Sequence, residues 1–254
     1  MARTTPRLTL LVAAVLLAAC ASEPDDTCLT ERKLAANRIA LNRIALNRIA
    51  LNGVLGETLP RVALTSESIA EAIEPVALTD AYALDVLEYT VSCALAPGQS
   101  VEVVAGGEVL TFEGALGLAP GWGASDGQCD GACERWVSAC LIARSNFAGE
   151  SMEISLVGDR PELEPTAEES QAFDSEEATY FGDLFATPMA IYACLPAGAS
   201  TAVRTCGEDT AQCPITVLGA CDDVCDAAGC RGPDDQVFTE TITVNLRDAS
   251  ASCE

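Results

Sequence analysis

The chain contains no histidine, and its only lysine is Lys33. The absence of histidine excludes Ser-His-Asp and Cys-His catalytic arrangements, histidine-ligated metals and the most common acid–base residue. Because Lys33 lies in a polar stretch ahead of any predicted domain, Schiff-base and Ser-Lys chemistry and a P-loop are excluded from the domain too. Aromatic residues form only 5% of the chain, and there are three methionines. We therefore expect a modest core that disulfides supplement.

Basic residues are also scarce. The 254 residues include 38 Asp and Glu against 14 Lys and Arg, which gives a formal net charge of −24. Nucleic-acid binding needs basic contacts to phosphates, so this balance argues against a nucleic-acid partner. Peripheral docking on anionic lipid is disfavoured for the same reason. The acidic excess is typical of a protein that must stay soluble at a crowded surface.

Residues 1–19 have the pattern of a bacterial lipoprotein signal peptide. Arg3 and Arg7 precede an apolar run at residues 8–19, which is too short to cross a bilayer as a mature helix. The run ends in Leu-Ala-Ala directly before Cys20, which resembles the lipobox. The resemblance implies that Cys20 is lipidated and anchors the chain in the cell envelope, and Ala21 favours the outer membrane. The alternative is an ordinary signal peptide that leaves Cys20 free.

Cysteine is abundant by contrast. Lipidation of Cys20 leaves 12 of the 13 cysteines, and an even number in an exported chain predicts a disulfide framework. A metal site is the alternative, but the close spacings are not the C-x-x-C pairs of zinc sites. We therefore expect no metal, no cofactor and no catalytic residue. The cysteines expected to form disulfides are Cys28, Cys93, Cys129, Cys133, Cys140, Cys194, Cys206, Cys213, Cys221, Cys225, Cys230 and Cys253.

The simplest pairing keeps the bridges within two groups of cysteines and joins Cys206 to Cys213, which are close in sequence. Cys28 and Cys253, near the two ends, then pair with each other. Connectivity inside each group cannot be read from the sequence, because four cysteines allow several pairings. The two groups are Cys93, Cys129, Cys133 and Cys140, and Cys194, Cys221, Cys225 and Cys230.

Residues 37–52 repeat the pentapeptide Asn-Arg-Ile-Ala-Leu three times and end in Asn52. A period of five fits neither a strand nor an amphipathic helix, since successive isoleucines on a helix would lie about 140° apart. We favour a low-complexity spacer that is helical in part. A short solenoid-like cap on the domain and a partner-binding segment are the alternatives.

Hydrophobic periodicity predicts a disulfide-rich α+β fold, with small antiparallel sheets and a few helices. Helices are predicted at residues 65–75, 80–95 and 130–145, a hairpin at 101–104 and 109–112, and strands at 152–156 and 239–246. Residues 89–95, at the end of the second helix, also alternate like a strand, which is the alternative there.

The predicted organisation places two cysteine-rich halves behind an anchored tether. Each half has an apolar run with cysteine, a Gly/Pro turn, a cysteine cluster and a closing strand, so the halves are candidates for an internal duplication, with chance similarity as the alternative. The segments are a signal peptide (1–19), a lipid-anchored tether with the repeat (20–64), a first half (65–160), an acidic linker or loop (161–178) and a second half (179–254).

Several short motifs resemble uncharacterised Cys-rich secreted proteins of myxobacterial type. They are Y-x3-C-A-L, G-L-A-P-G-W, W-V-S-A-C and I-T-V-N-L, together with an Asn-Arg repeat behind a lipobox. The resemblance covers most of residues 80–247. It implies no activity and no site residue.

Carboxylates are the remaining catalytic candidates. A glycosidase requires two of them about 5–10 Å apart, and Trp122 or Trp136 could stack on a sugar, although core packing is favoured for both. A calcium site needs regularly spaced oxygen ligands. The acids near the second cysteine group lack that spacing and predict a solvated loop: Asp222, Asp223, Asp226, Asp234 and Asp235.

Together these features predict a surface-anchored lipoprotein with a disulfide-stabilised structural or partner-binding domain and no catalytic activity. Its expected partners are the membrane, through the lipid anchor, and an unknown protein or glycan. The alternative is a carboxylate-dependent extracytoplasmic hydrolase that acts on polysaccharide.

Overall fold

The computed structural model describes residues 39–41, 44–45, 59–72, 80–149, 151–207 and 213–247. Over these residues the fold is α+β with small, mostly antiparallel sheets, as predicted. The helices are α1 (Ser66–Ala72), α2 (Ala81–Ala94), α3 (Gly131–Ala143), α4 (Ala167–Ala172), α5 (Val203–Cys206) and α6 (Cys221–Val224), with 3-10 turns at Leu59–Arg61, Pro120–Gly123 and Pro161–Leu163.

The strands form one larger sheet and three small ones. In the six-stranded sheet the order is β1-β6-β13-β7-β8-β9, and only β8 and β9 run parallel. The small sheets are β10-β11-β12, β2-β5 and β3-β4. The strands are β1 (Ile39–Leu41), β2 (Ile44–Ala45), β3 (Ser100–Ala105), β4 (Glu108–Glu113), β5 (Ser145–Asn146), β6 (Glu153–Val157), β7 (Ser175–Asp183), β8 (Ala190–Leu195), β9 (Thr216–Ala220), β10 (Cys225–Asp226), β11 (Gly229–Arg231), β12 (Val237–Phe238) and β13 (Ile242–Leu246).

Helices α2 and α3 cover one face of the larger sheet. Helix α3 packs on β7 and β13, and α2 packs on α3. Asp130 caps α3 by accepting a hydrogen bond from the backbone N–H of Cys133 at 2.9 Å. Val137, Cys140 and Leu141, at the predicted helical spacing, are fully buried in the main core. The sequence signals for α3 therefore also identify the face that it buries.

The two faces of β8 serve two separate cores. Ile191, Ala193 and Leu195 belong to the main core beneath the helices. Tyr192 and Cys194, the alternate residues, pack in a second and smaller core on the other face. Because successive side chains of a strand point in opposite directions, the position of one cysteine in β8 decides which core it enters.

The hairpin of β3 and β4 is as predicted. Val104 faces Val109 across the two strands, and Ala105 faces Glu108. The turn residues Gly106 and Gly107 have φ angles of 61° and 88°. These left-handed conformations are those of a two-residue hairpin turn, which favours glycine.

The pentapeptide repeat differs from its prediction where the structure describes it. Ile39–Leu41 adds an antiparallel strand to β6, and Ile44–Ala45 pairs in parallel with Ser145–Asn146. A helical spacer is therefore wrong for these residues. The physical reason is that pairing at a sheet edge uses backbone groups, so it does not require a side-chain period of two.

The acidic stretch at 161–178 is also more ordered in secondary structure than a linker. It contains the turn at Pro161–Leu163, helix α4 and the start of β7. Leu163 and Phe173 are buried, and Thr166 caps α4 through the N–H of Glu169. The Glu- and Pro-rich composition predicted a linker or loop, because it gave little weight to the two apolar residues that pack this segment against the core.

The two cysteine-rich halves have different structures. Cys93 lies in helix α2, whereas its counterpart Cys194 lies in strand β8. Strands from both halves also join one sheet, because β6 pairs with β13. The described residues therefore do not support an internal duplication.

Arg204 links the end of helix α3 to the larger sheet. Its guanidinium donates to the backbone oxygens of Ala143 and Ser145 at 3.1 and 2.6 Å and to the Glu177 carboxylate at 2.7 Å. The side chains of Arg204 and Glu177 are only 4% and 6% exposed. Burial, followed by the charge of Glu177, raises the pKa of the neighbouring Tyr180 hydroxyl, so that group stays neutral. The cation thus caps a helix C-terminus and neutralises a buried carboxylate.

We expect Arg204→Met to lower the free energy of unfolding by about 3–5 kcal/mol, because it leaves the Glu177 charge buried without its partner. Urea denaturation measures this loss. Arg231→Met is the matched control, since Arg231 and Asp226 form an exposed pair with side chains 47% and 55% accessible, and it should leave stability almost unchanged. Equal effects of the two substitutions would contradict the role of Arg204.

Candidate functional site

All ten cysteines that the structure describes are paired in disulfides, and every bridge stays within the groups predicted from the sequence. Cys206 is bonded to Cys213, as predicted. Cys20, Cys28 and Cys253, and with them the lipidation site and the predicted end-to-end bridge, lie outside the described residues. The remaining bridges are Cys93–Cys140, Cys129–Cys133, Cys194–Cys221 and Cys225–Cys230.

Two of these bridges lie side by side in the second core. The Sγ atoms of Cys194 and Cys225, which belong to different bridges, are 3.6 Å apart. The Sγ atoms of Cys194, Cys225 and Cys230 all lie within 4.8 Å of one another. In the rest of the described chain no other three cysteines or carboxylates approach this closely. These three cysteines and Cys221, the partner of Cys194, are called the sulfur cluster below.

Three short elements bring the sulfur cluster together. Strand β8 supplies Cys194 on the face opposite the helices, α6 begins at Cys221, and the β10–β11 pair places Cys225 directly opposite Cys230. The turn between β10 and β11 requires Gly229, which has a φ of 126° and where a Cβ atom would lie 2.5 Å from the backbone oxygen of Phe238. The close approach of β12 to this turn therefore fixes the position of Cys230.

Aromatic rings form the rest of the second core. The centroids of Phe181, Tyr192 and Phe238 are 5.6 to 5.8 Å from one another. Phe181 and Phe238 are fully buried, as is Cys194, whereas Tyr192, Cys221 and Cys225 are half-buried. Burial, together with the charge of Asp234, raises the pKa of the Tyr192 hydroxyl. The second core is thus a packed cluster of sulfur and aromatic groups in which each of the two bridges has one half-buried sulfur, that of Cys221 or of Cys225.

The sulfur cluster does not offer metal ligands in this state. A metal binds cysteine as a thiolate, and each sulfur of the cluster is consumed in a disulfide. The chemistry available to the oxidised cluster is therefore thiol–disulfide exchange.

A carboxylate-dependent hydrolase would need acidic groups and a sugar platform, and the described residues offer only part of these. Glu134, in the first turn of α3, is half-buried, and burial followed by the charge of Asp183 raises its pKa. Trp122, a candidate sugar platform, is 1% exposed and donates from Nε1 to the backbone oxygen of Val62 at 2.8 Å. Its ring meets Phe185 edge-on at 6.1 Å between centroids. Trp122 is a core residue, as the favoured interpretation of the sequence predicts.

Trp136 and the acidic loops also follow the favoured interpretations. Trp136 is buried, with the Arg160 guanidinium 5.4 Å above its ring. Asp226 accepts from the backbone N–H of Ala228 and pairs with Arg231 at 3.1 Å. All five aspartates considered for calcium are exposed: Asp222, Asp223, Asp226, Asp234 and Asp235.

Comparison with known proteins returned no matching family model, no matching curated protein and no matching solved structure. None of the helices that the structure describes has both the length and the apolar character needed to cross a membrane.

Sequence reasoning did not identify the contact between the two bridges or two ion pairs between residues that are distant in the chain. Arg135 binds Glu240 through two hydrogen bonds of 2.7 and 3.0 Å, across 105 residues of chain. Arg204 and Glu177 are likewise far apart in sequence. A useful signal did exist for the sulfur cluster, because Tyr192 and Cys194 share one face of a predicted apolar run, but it does not show what covers that face.

We expect Glu134→Gln to stabilise the fold at pH 7. The folded-state pKa of Glu134 is raised above its ordinary value of 4.5, so ionisation at neutral pH costs folding free energy, while below pH 4 the carboxyl is neutral in both states. The gain at pH 7 should be about 0.5 kcal/mol, because the group is half-exposed, and it should disappear at low pH. Thermal unfolding of Glu134→Gln and of the exposed control Glu71→Gln at both pH values measures it, and a gain that grows on acidification contradicts the sign.

Proposed function

We propose that the chain is an extracytoplasmic, lipid-anchored protein of the cell envelope, placed at the outer membrane, whose disulfide-stabilised domain is structural or binds a protein or glycan partner and has no catalytic activity. The observation that supports it best is that all ten described cysteines are bridged. Such density is typical of proteins in oxidising compartments. It agrees with the export signal and the Leu-Ala-Ala-Cys motif that ends at Cys20.

A binding role is supported by the exposed edge features of the domain. Val104 and Val109 face each other on the hairpin of β3 and β4 and are 65% and 62% exposed. The repeat also adds β1 to the edge of β6 through backbone pairing. A partner that binds the hairpin would bury the apolar pair of valines. Exposed apolar residues of this kind are typical of interaction sites.

A carboxylate-dependent hydrolase acting on polysaccharide is the second candidate. The raised pKa of Glu134 beside Asp183 is the observation in its favour, since a general acid needs such a shift. The burial of Trp122 removes one of the two tryptophans considered for stacking on a sugar. Polysaccharide hydrolysis that Glu134→Gln abolishes would establish this candidate in place of the first.

We expect Cys20→Ser to move the protein from the membrane fraction to the soluble fraction, because the substitution removes the only thiol that the lipobox presents for lipidation. Fractionation of the native host and mass spectrometry of the mature N-terminus measure this. Ala21→Ser, which keeps Cys20, is the matched control and should remain in the membrane fraction. A Cys20→Ser protein that still sediments with membranes would overturn the anchor.

A further inference from the structure

We propose that the sulfur cluster of Cys194, Cys221, Cys225 and Cys230 is a thiol–disulfide exchange site, which accepts reducing equivalents from a small or protein dithiol at one bridge and passes them to the other. This goes beyond a structural role for the bridges. It departs from the proposed absence of catalytic activity, because it assigns a redox activity and a class of co-reactant to residues that otherwise only hold the fold together.

The distance between the two bridges carries the proposal. Exchange needs a thiolate sulfur close to a disulfide sulfur, and reacting atoms in near-attack geometries lie about 3–3.5 Å apart. The Sγ of Cys225 is 3.6 Å from the Sγ of Cys194. Once Cys225 is a thiolate, it is therefore already next to its target. By contrast, Cys93 and Cys140 form a bridge that is fully buried in the main core, away from the cluster.

The different exposure of the sulfurs determines which of them an external reductant attacks first. Cys225 is half-buried, while its partner Cys230 is only 3% exposed. A dithiol reductant therefore attacks the Sγ of Cys225, and the Cys225–Cys230 bond breaks with Cys230 leaving as the thiolate. The second thiol of the reductant then attacks the mixed disulfide. The reductant leaves as its own disulfide, and its two electrons and two protons stay on Cys225 and Cys230.

In the second step the free thiolate passes from Cys225, in the first bridge, to Cys221, in the other bridge. The Cys225 thiolate attacks the Sγ of Cys194, a Cys194–Cys225 bond forms, and the Cys194–Cys221 bond breaks with Cys221 leaving as the thiolate. No electrons are gained or lost in this step. Because Cys221 is half-buried whereas Cys194 is fully buried, the product presents the Cys221 thiolate to solvent at the start of α6. There it attacks a partner disulfide, so that a bond from Cys221 to one partner sulfur forms, the partner's disulfide bond breaks, and the other partner sulfur leaves as the thiolate.

The aromatic groups fit this chemistry. Phe181 and Phe238 are fully buried and pack with Cys194 and Cys230 in the second core. They shield these two sulfurs from external thiols, while Cys221 and Cys225 remain partly accessible. Entry and exit of reducing equivalents are thus limited to two of the four sulfurs.

Two cysteine variants test the transfer step without any added reductant. Cys230→Ser leaves Cys225 as a thiol beside the Cys194–Cys221 bridge, so we expect maleimide labelling of the purified full chain to appear at Cys221 and peptide mapping to show a Cys194–Cys225 bond. The matched control Cys225→Ser leaves the buried Cys230 as the thiol, and its Cys194–Cys221 bridge should remain. Labelling of Cys230→Ser at Cys225 alone would overturn the proposal.

The unmodified protein gives a second measurement, which stands even where a variant fails to fold. Dithiothreitol is titrated, the mixture is quenched with acid and labelled, and the bridges are mapped by mass spectrometry. We expect the first reduced species to include Cys194–Cys225 with label at Cys221 and Cys230, while Cys93–Cys140 stays intact. Label confined to Cys225 and Cys230 until the whole chain is reduced would show two independent structural bridges and overturn the proposal.

Discussion

The buried bridge between Cys93 and Cys140 is the constraint on which the rest of the fold depends. It joins α2 to α3 across 47 residues of chain, and α3 is the helix that packs on β7 and β13. Closing a loop of that length removes conformational entropy from the unfolded chain worth about 4 kcal/mol. Since aromatic residues are few, this covalent link supplements a core built mainly from aliphatic side chains of modest size.

The same sheet then serves two purposes. One face receives the helices, and the other receives the small sheet of β10, β11 and β12 that completes the second core. Because side chains alternate along β8, Ala193 packs in the main core beneath the helices, and Cys194 packs on the opposite face in the second core, where the sulfur cluster lies. The sheet thus separates the bridges of the first half from the sulfur cluster. Exchange within the cluster can therefore leave the bridges of the first half intact.

Helix α3, the hairpin and the grouping of the bridges could be predicted from the sequence, because each depends on residues that are close together in the chain. Helix α3 follows from the spacing of Cys133, Val137 and Cys140, and the hairpin follows from Gly106 and Gly107 between alternating valines. The grouping of the bridges followed from the simplest assignment, which keeps each bridge within one group of cysteines. Each of these features rests on residues close in sequence, where periodicity and turn chemistry decide the structure.

Features that depend on distant partners could not be predicted. The pairing of Ile39–Leu41 with β6 uses backbone groups, which leave no side-chain pattern. The Arg204–Glu177 pair and the approach of Cys194 to Cys225 depend on how several elements pack, and many acids and cysteines were equally available as partners. The candidate site was therefore visible in the sequence only as a list of cysteines, without the contact that makes it a site.

Urea denaturation of Cys93→Ala/Cys140→Ala against Cys129→Ala/Cys133→Ala tests the central role of the buried bridge most directly. The two bridges close loops of 47 and 4 residues, so the chain-entropy model gives losses of about 4 and about 2 kcal/mol, respectively. The account predicts that the first double variant loses clearly more stability than the second. Equal losses, or a larger loss from the short bridge, would contradict it.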